Sequence, residues 1–405
     1  MLHLKLKRMP GFELFGDAER KEVNDVLESG VLMRYGFDGA RNGHWKAKEL
    51  EQELQQNLGV KHAQLTSSGT TALNVALAVL GVGAGVEVIM PTFTFVASFE
   101  SILAAGATPI LVEIDDTLTL DPKAVEAAIT SKTKVVMPVH MCGSMADLDA
   151  LKAICDKHNL ILLEDACQAI GGSYKGQKLG TIGDAGCFSF DYVKTITCGE
   201  GGAMITNDPN LAVNADHYTD HGHDHVGNDR GAESHPFLGY NFRISELNAA
   251  VGLAQVRRLD DFVTIQRKNK KVLKDALRAI PEVSFRRIPD ESGDSAGFLS
   301  FFMPTKELTD KVVKAFKEHG VDAYWNYYEN DWHYVRKWNH LKDQVSLFPL
   351  SDQIVNGMQD LNKTEFPQSD DIISRNISCL IKLSWTEEQV NERANQMVTA
   401  IKSIL

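Results

Sequence analysis

One lysine in this sequence, Lys194, stands where an amine could do covalent chemistry. It follows the β-rich run Gly186–Phe190 and precedes the glycine-rich turn Gly199–Gly202. Glycines in such a turn let the backbone approach a ligand closely, as a pocket requires. An amine in a partly enclosed site loses solvation of its ammonium form and becomes available as a nucleophile toward an aldehyde. The alternative, a surface lysine beside a glycine turn, explains this segment alone.

Two adjacent carboxylates, Glu164 and Asp165, directly follow the hydrocarbon run Leu160–Leu163. Burying an unpaired carboxylate is costly, so at least one of them requires a cationic partner. A pyridinium nitrogen supplies such a partner, and Asp165 would keep that nitrogen protonated, which makes the ring the electron sink of pyridoxal 5′-phosphate (PLP) chemistry. The alternative is a metal-binding or solvent-exposed acid at a strand end. Together with Lys194, the pair predicts PLP as the cofactor.

A small, hydroxyl-rich turn leads into a predicted helix at Ser68, Gly69 and Thr70. Backbone N–H groups and the helix dipole favour a phosphate at such a start, although an ordinary N-cap has the same sequence pattern. Ser189 could point its hydroxyl at the same phosphate. The face of Phe95 could stack on a planar ring, whereas a place in the core is the commoner role of a phenylalanine.

The segments that must position these residues alternate between strands and helices from Ala63 to about Thr206. The strands are continuous apolar runs, which is typical of a parallel sheet buried on both faces. Ligands bind at the carboxyl ends of such strands, where the residues above lie. We therefore expect an α/β fold whose mostly parallel central sheet is sandwiched by helices. The predicted strands are Ala63–Leu65, Glu87–Met90, Thr108–Val112, Lys134–Val139 and Leu160–Leu163, and the predicted helices are Thr70–Leu80, Phe99–Ala105 and Asp147–His158, the last capped by Asp147.

A second, smaller domain is expected to follow. A chain of 405 residues exceeds what a single core organises. One long helical segment, Ser245–Ile280, is broken at Pro281, and mixed strands and helices then lead to the amphipathic Thr386–Leu405. We expect a large cofactor-binding domain with an N-terminal arm over residues 1–260 and a smaller α+β domain over residues 261–405.

Composition and charge limit the classes of function. The net charge of −12 argues against binding of nucleic acid and against adhesion to a membrane surface, so small molecules are the expected partners. No apolar run approaches a membrane span, and the N-terminus, with Met1 or Met9 as the start, is too charged for a signal peptide. Six scattered cysteines without a CxxC pair favour reduced thiols. We expect a cytoplasmic protein.

Several motifs, in their order and spacing, resemble those of the DegT/DnrJ/EryC1/StrS sugar aminotransferases, which are PLP-dependent transferases of fold type I, the aspartate aminotransferase fold. The resemblance runs from about residue 12 to residue 260 and more loosely to the C-terminus. The motifs are Ser68-Gly69-Thr70, Pro91–Phe95, Glu164–Gln168, Phe188–Phe190 with Lys194, Gly199–Gly202 and Gly239–Arg243.

This resemblance implies a role for each residue around the cofactor ring. Lys194 would bind the cofactor covalently and move the proton, and Asp165 would bind the pyridine nitrogen. Gln168 would lie near the phenolic oxygen, and Phe95 would stack on the ring. Members of the family with histidine in place of the lysine are dehydratases, so the presence of Lys194 implies transamination.

The resemblance also implies how the cofactor phosphate is held. Ser68, Gly69, Thr70 and Ser189 would contact it from one subunit. Asn241 would reach it from the neighbouring subunit, so a homodimer is needed for a complete site.

The resemblance implies L-glutamate as the amino donor and a keto or aldehyde sugar as the acceptor. Segment 324–336 departs from the shorter Pro- and His-containing motif of members that act on nucleotide-linked hexoses. We therefore expect a free acidic sugar, 8-oxo-3,8-dideoxy-manno-octulosonate, which would be aminated to 8-amino-Kdo for lipopolysaccharide. Arginine binds carboxylate in bidentate fashion, and the candidate contacts are Arg34, Arg41, His221 and Arg336.

Three alternatives stay open. The acceptor could be a nucleotide-linked 3- or 4-keto-6-deoxyhexose, or the chain could be a PLP-binding regulatory protein without turnover. A metal-dependent hydrolase is the third, because the loop Asp216–Pro236 carries imidazoles at short spacing, namely His217, His221, His223, His225 and His235. Their spacing gives no clean ligand pair beside a carboxylate, so we expect no metal and a polar loop over the site.

Overall fold

The strands of the protein form one large and two small sheets. The computed structural model describes residues 13–227, 229–347 and 349–405, so the choice between Met1 and Met9 lies outside the described residues. In chain order the strands are β1 (His62–Thr66), β2 (Glu87–Pro91), β3 (Thr108–Val112), β4 (Thr133–Val136), β5 (Ile161–Asp165), β6 (Ser173–Tyr174), β7 (Gln177–Lys178), β8 (Ala185–Ser189), β9 (Gly202–Thr206), β10 (Ser284–Phe285), β11 (Phe298–Phe302), β12 (Tyr324–Trp325) and β13 (Asn376–Leu380).

Among the described residues, the large sheet has seven strands in the order β1-β9-β8-β5-β4-β2-β3. Strand β9 runs antiparallel to its neighbours β1 and β8, and the other adjacent pairs are parallel. The hydrocarbon residues of β5 after Ile161 and those of β8 and β9 are buried because helices cover both faces of the sheet. A smaller sheet, β10-β11-β13-β12, is antiparallel, and β6 pairs with β7 in a separate hairpin.

The helices connect the strands and cover the sheets. They are α1 (Asp17–Ser29), α2 (Lys46–Leu58), α3 (Gly69–Val79), α4 (Ala97–Ala104), α5 (Pro122–Ala128), α6 (Leu148–His158), α7 (Pro209–Thr219), α8 (Glu246–Val256), α9 (Leu259–Leu277), α10 (Lys306–Glu318), α11 (Asn339–Lys342), α12 (Asp352–Gly357), α13 (Pro367–Ser374) and α14 (Glu387–Lys402). The predicted cap of α6 is confirmed, since the Asp147 side chain accepts a hydrogen bond from the amide of Ala150. In the described part of the chain, no helix combines the length and apolar character needed to cross a bilayer.

Two elements depart most from the prediction. The long helical segment ends at Leu277, ahead of Pro281, in line with the predicted break, but it also divides into α8 and α9 at Arg257 and Arg258, the second of which occupies the N-cap position of α9. No glycine or proline marks this break; both arginines form ion pairs with glutamates of α1, so tertiary contacts hold the turn. Strand β4 ends at Val136, three residues early, and of the remainder Val139 forms an isolated bridge to Asp165.

Helix α9 connects two hydrophobic cores. Its first turn contributes Leu259 and Phe262 to the core that contains Phe188 of the large sheet. Its last turns contribute Leu273 and Leu277 to a second core under the small sheet. The chain later returns to the large sheet, because residues 327–373 pack against the strands around β2. A division of the chain at residues 260 and 261 stays a prediction.

Candidate active site

A cavity of about 170 Å³ lies beside Lys194, between the large and the small sheet. Cys167, Gln168 and Thr195 line it from the side of the large sheet, with Lys194 between them. The opposite wall comes from α9 and the small sheet, through Gln266, Gly297, Phe298, Trp325 and Leu380. The cavity therefore lies at the carboxyl edge of the parallel strands, where a doubly wound sheet binds its ligands.

Asp165 ends strand β5 as a buried carboxylate, with 3% of its surface exposed. Its Oδ2 accepts a hydrogen bond from Ser98 Oγ at 2.7 Å, and its Oδ1 accepts one from the amide of Cys167 at 3.1 Å. Both donors are neutral, and within the described ranges no Lys, Arg or His side chain forms an ion pair with Asp165. A buried carboxylate with only neutral donors fits a cationic ligand, and the pyridinium of PLP is such a ligand.

Glu164 points to the opposite side of the strand and is fully satisfied by its own chain. Its carboxylate accepts hydrogen bonds from the amides of Gly180 at 2.8 Å and of Ile182 and Gly183 at 2.7 Å each. The Nε2 atom of His140 lies 2.9 Å from the same carboxylate. Because the Nδ1 atom of His140 accepts from the amide of Ala146 at 3.2 Å, the proton is assigned to Nε2. Of the two adjacent acids, Glu164 is therefore structural, and Asp165 lies on the other side of the strand, bonded to the amide of the cavity residue Cys167.

The start of α3 and the end of β8 meet at one point. Ser68 is the N-cap of α3, since its Oγ accepts a hydrogen bond from the amide of Thr71 at 3.1 Å. A Cβ added to Gly69 would lie 2.6 Å from the Cβ of Ser189, so only glycine permits this approach. The amides of Gly69 and Thr70 stand in the first turn, where no intrahelical acceptor exists. These four residues form a cradle that fits a phosphate, and its occupation by the cofactor phosphate stays a prediction.

The other residues predicted to contact the cofactor differ in burial and in their neighbours. Lys194 is half-buried, and its backbone amide donates to the carbonyl of Asp191 at 3.0 Å. Gln168 lines the cavity, and Phe95 is half-buried against Trp332 with ring centroids 5.8 Å apart. Asn241 is exposed in a segment whose next residue, Phe242, accepts a hydrogen bond from the amide of Ser67 at 2.8 Å.

His333 is a cavity residue that the sequence did not single out. Burial, together with the nearby charge of Lys194, lowers the pKa of His333 to about 3, so the imidazole is neutral at physiological pH. Its Nδ1 lies 2.8 Å from Asn330 Oδ1, an acceptor, which assigns the proton to Nδ1 and leaves Nε2 as an acceptor. The aromatic segment 324–336 was the only sequence signal that pointed to this region. His333 itself was missed because composition does not show which side chain of the segment points into the cavity.

Two of the arginines expected to bind a substrate carboxylate are engaged with their own chain. The guanidinium of Arg34 is 5% exposed and lies 2.6 Å from Glu51. The side chain of Arg41 is 2% exposed, donates to the carbonyls of Gly36 and Met33 at 2.7 and 2.6 Å, and stacks over a tryptophan ring. Neither lines the Lys194 cavity: both brace the segment between α1 and α2, and their predicted contact with a substrate carboxylate stays a prediction.

The two other predicted carboxylate contacts also lie outside the cavity lining. Arg336 binds Asp370 through Nε at 3.0 Å and NH2 at 2.7 Å, and its NH1 donates to the carbonyl of Thr364. The fork of Arg336 is thus occupied by a carboxylate of the same chain, and its predicted contact with the substrate stays a prediction. His221 is exposed in the loop after α7, and its backbone amide donates to the carbonyl of Tyr240.

The histidine-rich loop forms ion pairs. His225 lies between two carboxylates, with Nδ1 2.7 Å from Asp216 and Nε2 2.9 Å from Asp220. Arg230 and Arg243 also pair with Asp220, which is fully buried. Within the part of the chain that the structure describes, no group of three or more His, Cys, Asp or Glu side chains is arranged to hold a metal ion.

This arrangement predicts a pH-dependent contribution to stability. Burial opposes the charge of His225, but hydrogen bonds to Asp216 and Asp220 raise its pKa from 6.5 to about 9. Because the pKa of the folded state is the higher one, the stabilisation is complete below pH 6.5 and is lost as the pH rises through 9. We expect His225→Gln to lower Tm clearly at pH 6 and much less at pH 10, as measured by thermal unfolding.

A matched control is His340→Gln. His340 is half exposed and lies 3.8 Å from Glu100, so its replacement should change Tm little at either pH. A Tm difference between wild type and His225→Gln that is the same at pH 6 and pH 10 would contradict this account.

The fold and the cavity first define a class. A mostly parallel sheet that carries a lysine and a buried aspartate at its carboxyl edge has the architecture of fold type I PLP enzymes. The chain belongs to the DegT/DnrJ/EryC1/StrS aminotransferase family, which matches residues 15–397. The family is one of aminotransferases.

Relatives of known name agree with this family. The chain is 42% identical over 221 residues to GDP-perosamine synthase of Caulobacter vibrioides, a match that spans 54% of this chain and 58% of that protein. It is 35% identical over 324 residues to 3-amino-5-hydroxybenzoate synthase of Amycolatopsis mediterranei, which spans 79% of this chain and 81% of that protein. A solved aminotransferase from Psychrobacter cryohalolentis is 26% identical with a TM-score of 0.84, over 98% of this chain and 99% of that chain. The predicted fold is therefore confirmed.

Proposed function

We propose that this chain is a PLP-dependent aminotransferase that transfers the amino group of L-glutamate to a carbonyl carbon of a sugar. The observation that carries the proposal is the buried Asp165 carboxylate, which has neutral donors only and lies near the cavity of Lys194. When bound there, PLP supplies an electron sink for the charge that develops at the amino-bearing carbon. The phosphate cradle at Gly69 and Ser189 is the second feature that fits this cofactor.

The residues of the chain would divide the work as follows. Lys194 holds the cofactor, and its Nζ, once released, takes the Cα proton of L-glutamate and later returns a proton to the carbon that receives nitrogen. The Asp165 carboxylate orients the ring and balances the charge of its nitrogen. Neutral His333 offers Nε2 as an acceptor for a hydroxyl of the sugar. The aromatic wall around Trp325 limits water at the reacting atoms.

For the acceptor we propose 8-oxo-3,8-dideoxy-manno-octulosonate, which would give 8-amino-Kdo. Support comes from segment 324–336, which lacks the motif typical of members acting on nucleotide-linked hexoses and contributes Trp325, Tyr327 and His333 to the cavity. Arg34, Arg41 and Arg336 already bond within the chain, so to bind the sugar carboxylate any of them would have to exchange these contacts.

A second acceptor class has an observation of its own. The relative from Caulobacter vibrioides is named GDP-perosamine synthase and is 42% identical over 221 residues. This similarity favours a nucleotide-linked keto-6-deoxyhexose as the alternative acceptor.

One experiment separates the two acceptors and tests the activity. The purified protein with PLP and L-glutamate is offered each keto sugar, and the products are identified by mass spectrometry. The octulosonate proposal requires an amino product from the free acid alone, and product only from the nucleotide-linked sugar would replace it. If glutamate leaves the bound cofactor unchanged, the chain is the PLP-binding regulatory protein without turnover.

We further propose that the active unit is a homodimer in which Asn241 completes the site of the neighbouring subunit. Asn241 is exposed beside two exposed apolar side chains, Leu238 at 76% and Tyr240 at 45%. An apolar strip next to an exposed amide suits an interface between two copies of one chain.

Mixed dimers test this proposal. Lys194→Ala and Asn241→Ala subunits should each be inactive alone, whereas a refolded equal mixture should recover about a quarter of wild-type activity, since half of the dimers are mixed and each has one intact site. Lys194→Ala mixed with the Lys194→Ala/Asn241→Ala double variant is the control and should stay inactive. Full activity of Asn241→Ala alone would overturn the proposal.

A further inference from the structure

A left-handed turn lies directly behind the cavity wall at Gln168. Cys142 has φ 56° and ψ 30°, a left-handed backbone conformation that residues other than glycine seldom adopt. In this conformation its backbone N–H donates to Gln168 Oε1 at 3.0 Å. Since Oε1 is thereby occupied as an acceptor, the NH2 group of Gln168 is the end left to face a ligand.

The Cys142 side chain has no part in this contact. Its thiol is fully buried and lies 3.8 Å from Tyr327 Oη and 3.9 Å from Ser378 Oγ. Burial raises the pKa of the thiol, so it stays neutral at physiological pH. What the turn supplies to Gln168 is one backbone donor with a set direction.

Arg286 holds this turn from the side of the small sheet. The residue is 4% exposed, and its side-chain hydrogen bonds go to carbonyl oxygens: Nη1 donates to Met141 at 2.5 Å and Nη2 to Ser144 at 3.3 Å. The two carbonyls flank Cys142, so the planar guanidinium spans the turn as a fork. Among the described residues no carboxylate forms an ion pair with Arg286; a buried guanidinium held only by carbonyls is costly, and the proposed mechanism gives it no other role.

Neighbouring residues close the turn from the same side. Ser295 Oγ donates to the carbonyl of Gly143 at 2.8 Å, and Ser144 Oγ donates to Asp294 at 2.7 Å. A Cβ on Gly143 would collide with Ser295 and lie 3.4 Å from the carbonyl of Gln168. The turn is therefore packed between Gln168 and the segment after β10 and has little freedom to relax.

We propose that Arg286 is a positioning residue that acts through the Cys142 turn to orient the amide of Gln168, so that Gln168 donates hydrogen bonds to the phenolic oxygen of the bound cofactor. This inference rests on the proposed function, because it needs PLP in the Lys194 cavity. A hydrogen bond donated to that oxygen favours its negative form and lowers the pH at which the lysine-bound cofactor loses its proton.

The test is a pH titration of the visible absorbance of the lysine-bound cofactor in holoenzyme without substrates. Arg286→Lys keeps the charge but cannot span two carbonyls. The pH at the midpoint of its absorbance titration should therefore rise by about one unit, which corresponds to the free energy of one hydrogen bond. Gln168→Leu should give the same rise. The double variant should show no further rise, because both changes remove one contact. Arg287→Lys is the matched control, since Arg287 pairs with Asp115 and Asp116 instead and should keep the wild-type midpoint.

A second pair of variants tests the turn without touching the arginine. Cys142→Gly retains both the backbone donor and the left-handed conformation and should keep the wild-type midpoint. Cys142→Val cannot adopt that conformation without strain and should shift the midpoint as Gln168→Leu does.

The outcomes separate the inference from the function on which it rests. Unchanged midpoints in Arg286→Lys and Cys142→Val, with a shifted midpoint in Gln168→Leu, would overturn the positioning role alone. Additive shifts in the double variant would overturn it as well. A wild-type protein that takes up PLP without a lysine-bound absorbance band would overturn both the inference and the proposed function.

Discussion

Replacing Lys194 by alanine is expected to lower the rate of amino transfer by about 10²–10⁴-fold, the usual contribution of a positioned proton-transfer group. The side chain lies at the cavity wall. Among the described residues that line the cavity, Lys194 is the one lysine. Its loss removes both the covalent hold on the cofactor and the amine that moves the proton. The measurement is single-turnover conversion of L-glutamate, followed by cofactor absorbance.

The variant should still bind the cofactor without the covalent link. The phosphate cradle and Asp165 are unchanged in it, so PLP should be retained on a desalting column while the visible band of the lysine-bound form is lost. Lys268→Ala is the control, because Lys268 is exposed and forms only a surface ion pair with Glu387 at 3.5 Å. Normal turnover by Lys194→Ala would exclude the assigned role.

Asp165→Asn is expected to lower kcat by about 10²–10³-fold, the scale for removing one preorganised electrostatic contact. The change keeps the shape of the side chain, and the amide can still accept from Cys167 and pair with the hydroxyl of Ser98. Folding should therefore be preserved, and Tm should stay near the wild-type value. What is lost is the negative charge that, in the proposed mechanism, would hold the ring nitrogen protonated.

The neighbouring acid gives the matched comparison. Glu164→Gln turns an NH2 group toward amides that are themselves donors, which should cost about 1–3 kcal/mol of stability. The rate per folded molecule should change little, because Glu164 faces the loop 180–183 and not the cavity. Measured on both variants, Tm should therefore fall in Glu164→Gln and stay near wild type in Asp165→Asn. The value of kcat should fall in Asp165→Asn and change little in Glu164→Gln. Equal loss of kcat in the two variants would argue against a separate role for Asp165.

The sequence alone determined the parts of the protein that depend on local pattern. Continuous apolar runs gave the strands of the parallel sheet, and the hydrogen-bonding residue Asp147 gave the start of α6. Motif residues at strand ends predicted the phosphate cradle and the pair of Lys194 and Asp165, because parallel strands bring their carboxyl ends to one edge. These features follow from periodicity and from residue chemistry, which a sequence displays directly.

Tertiary structure decided which charged side chains have partners within the chain, because one sequence segment does not show partners that come from distant positions. Arg34 and Arg336 look like free anion binders in sequence, yet each meets a carboxylate of its own chain from a distant position. The partners of Glu164 are a further example: the sequence assigned the cofactor role to Asp165, and only the packed strand shows that three amides converge on the neighbouring Glu164. A charged side chain acts on a ligand only when folding leaves it without an internal partner, and those partners are set by long-range packing.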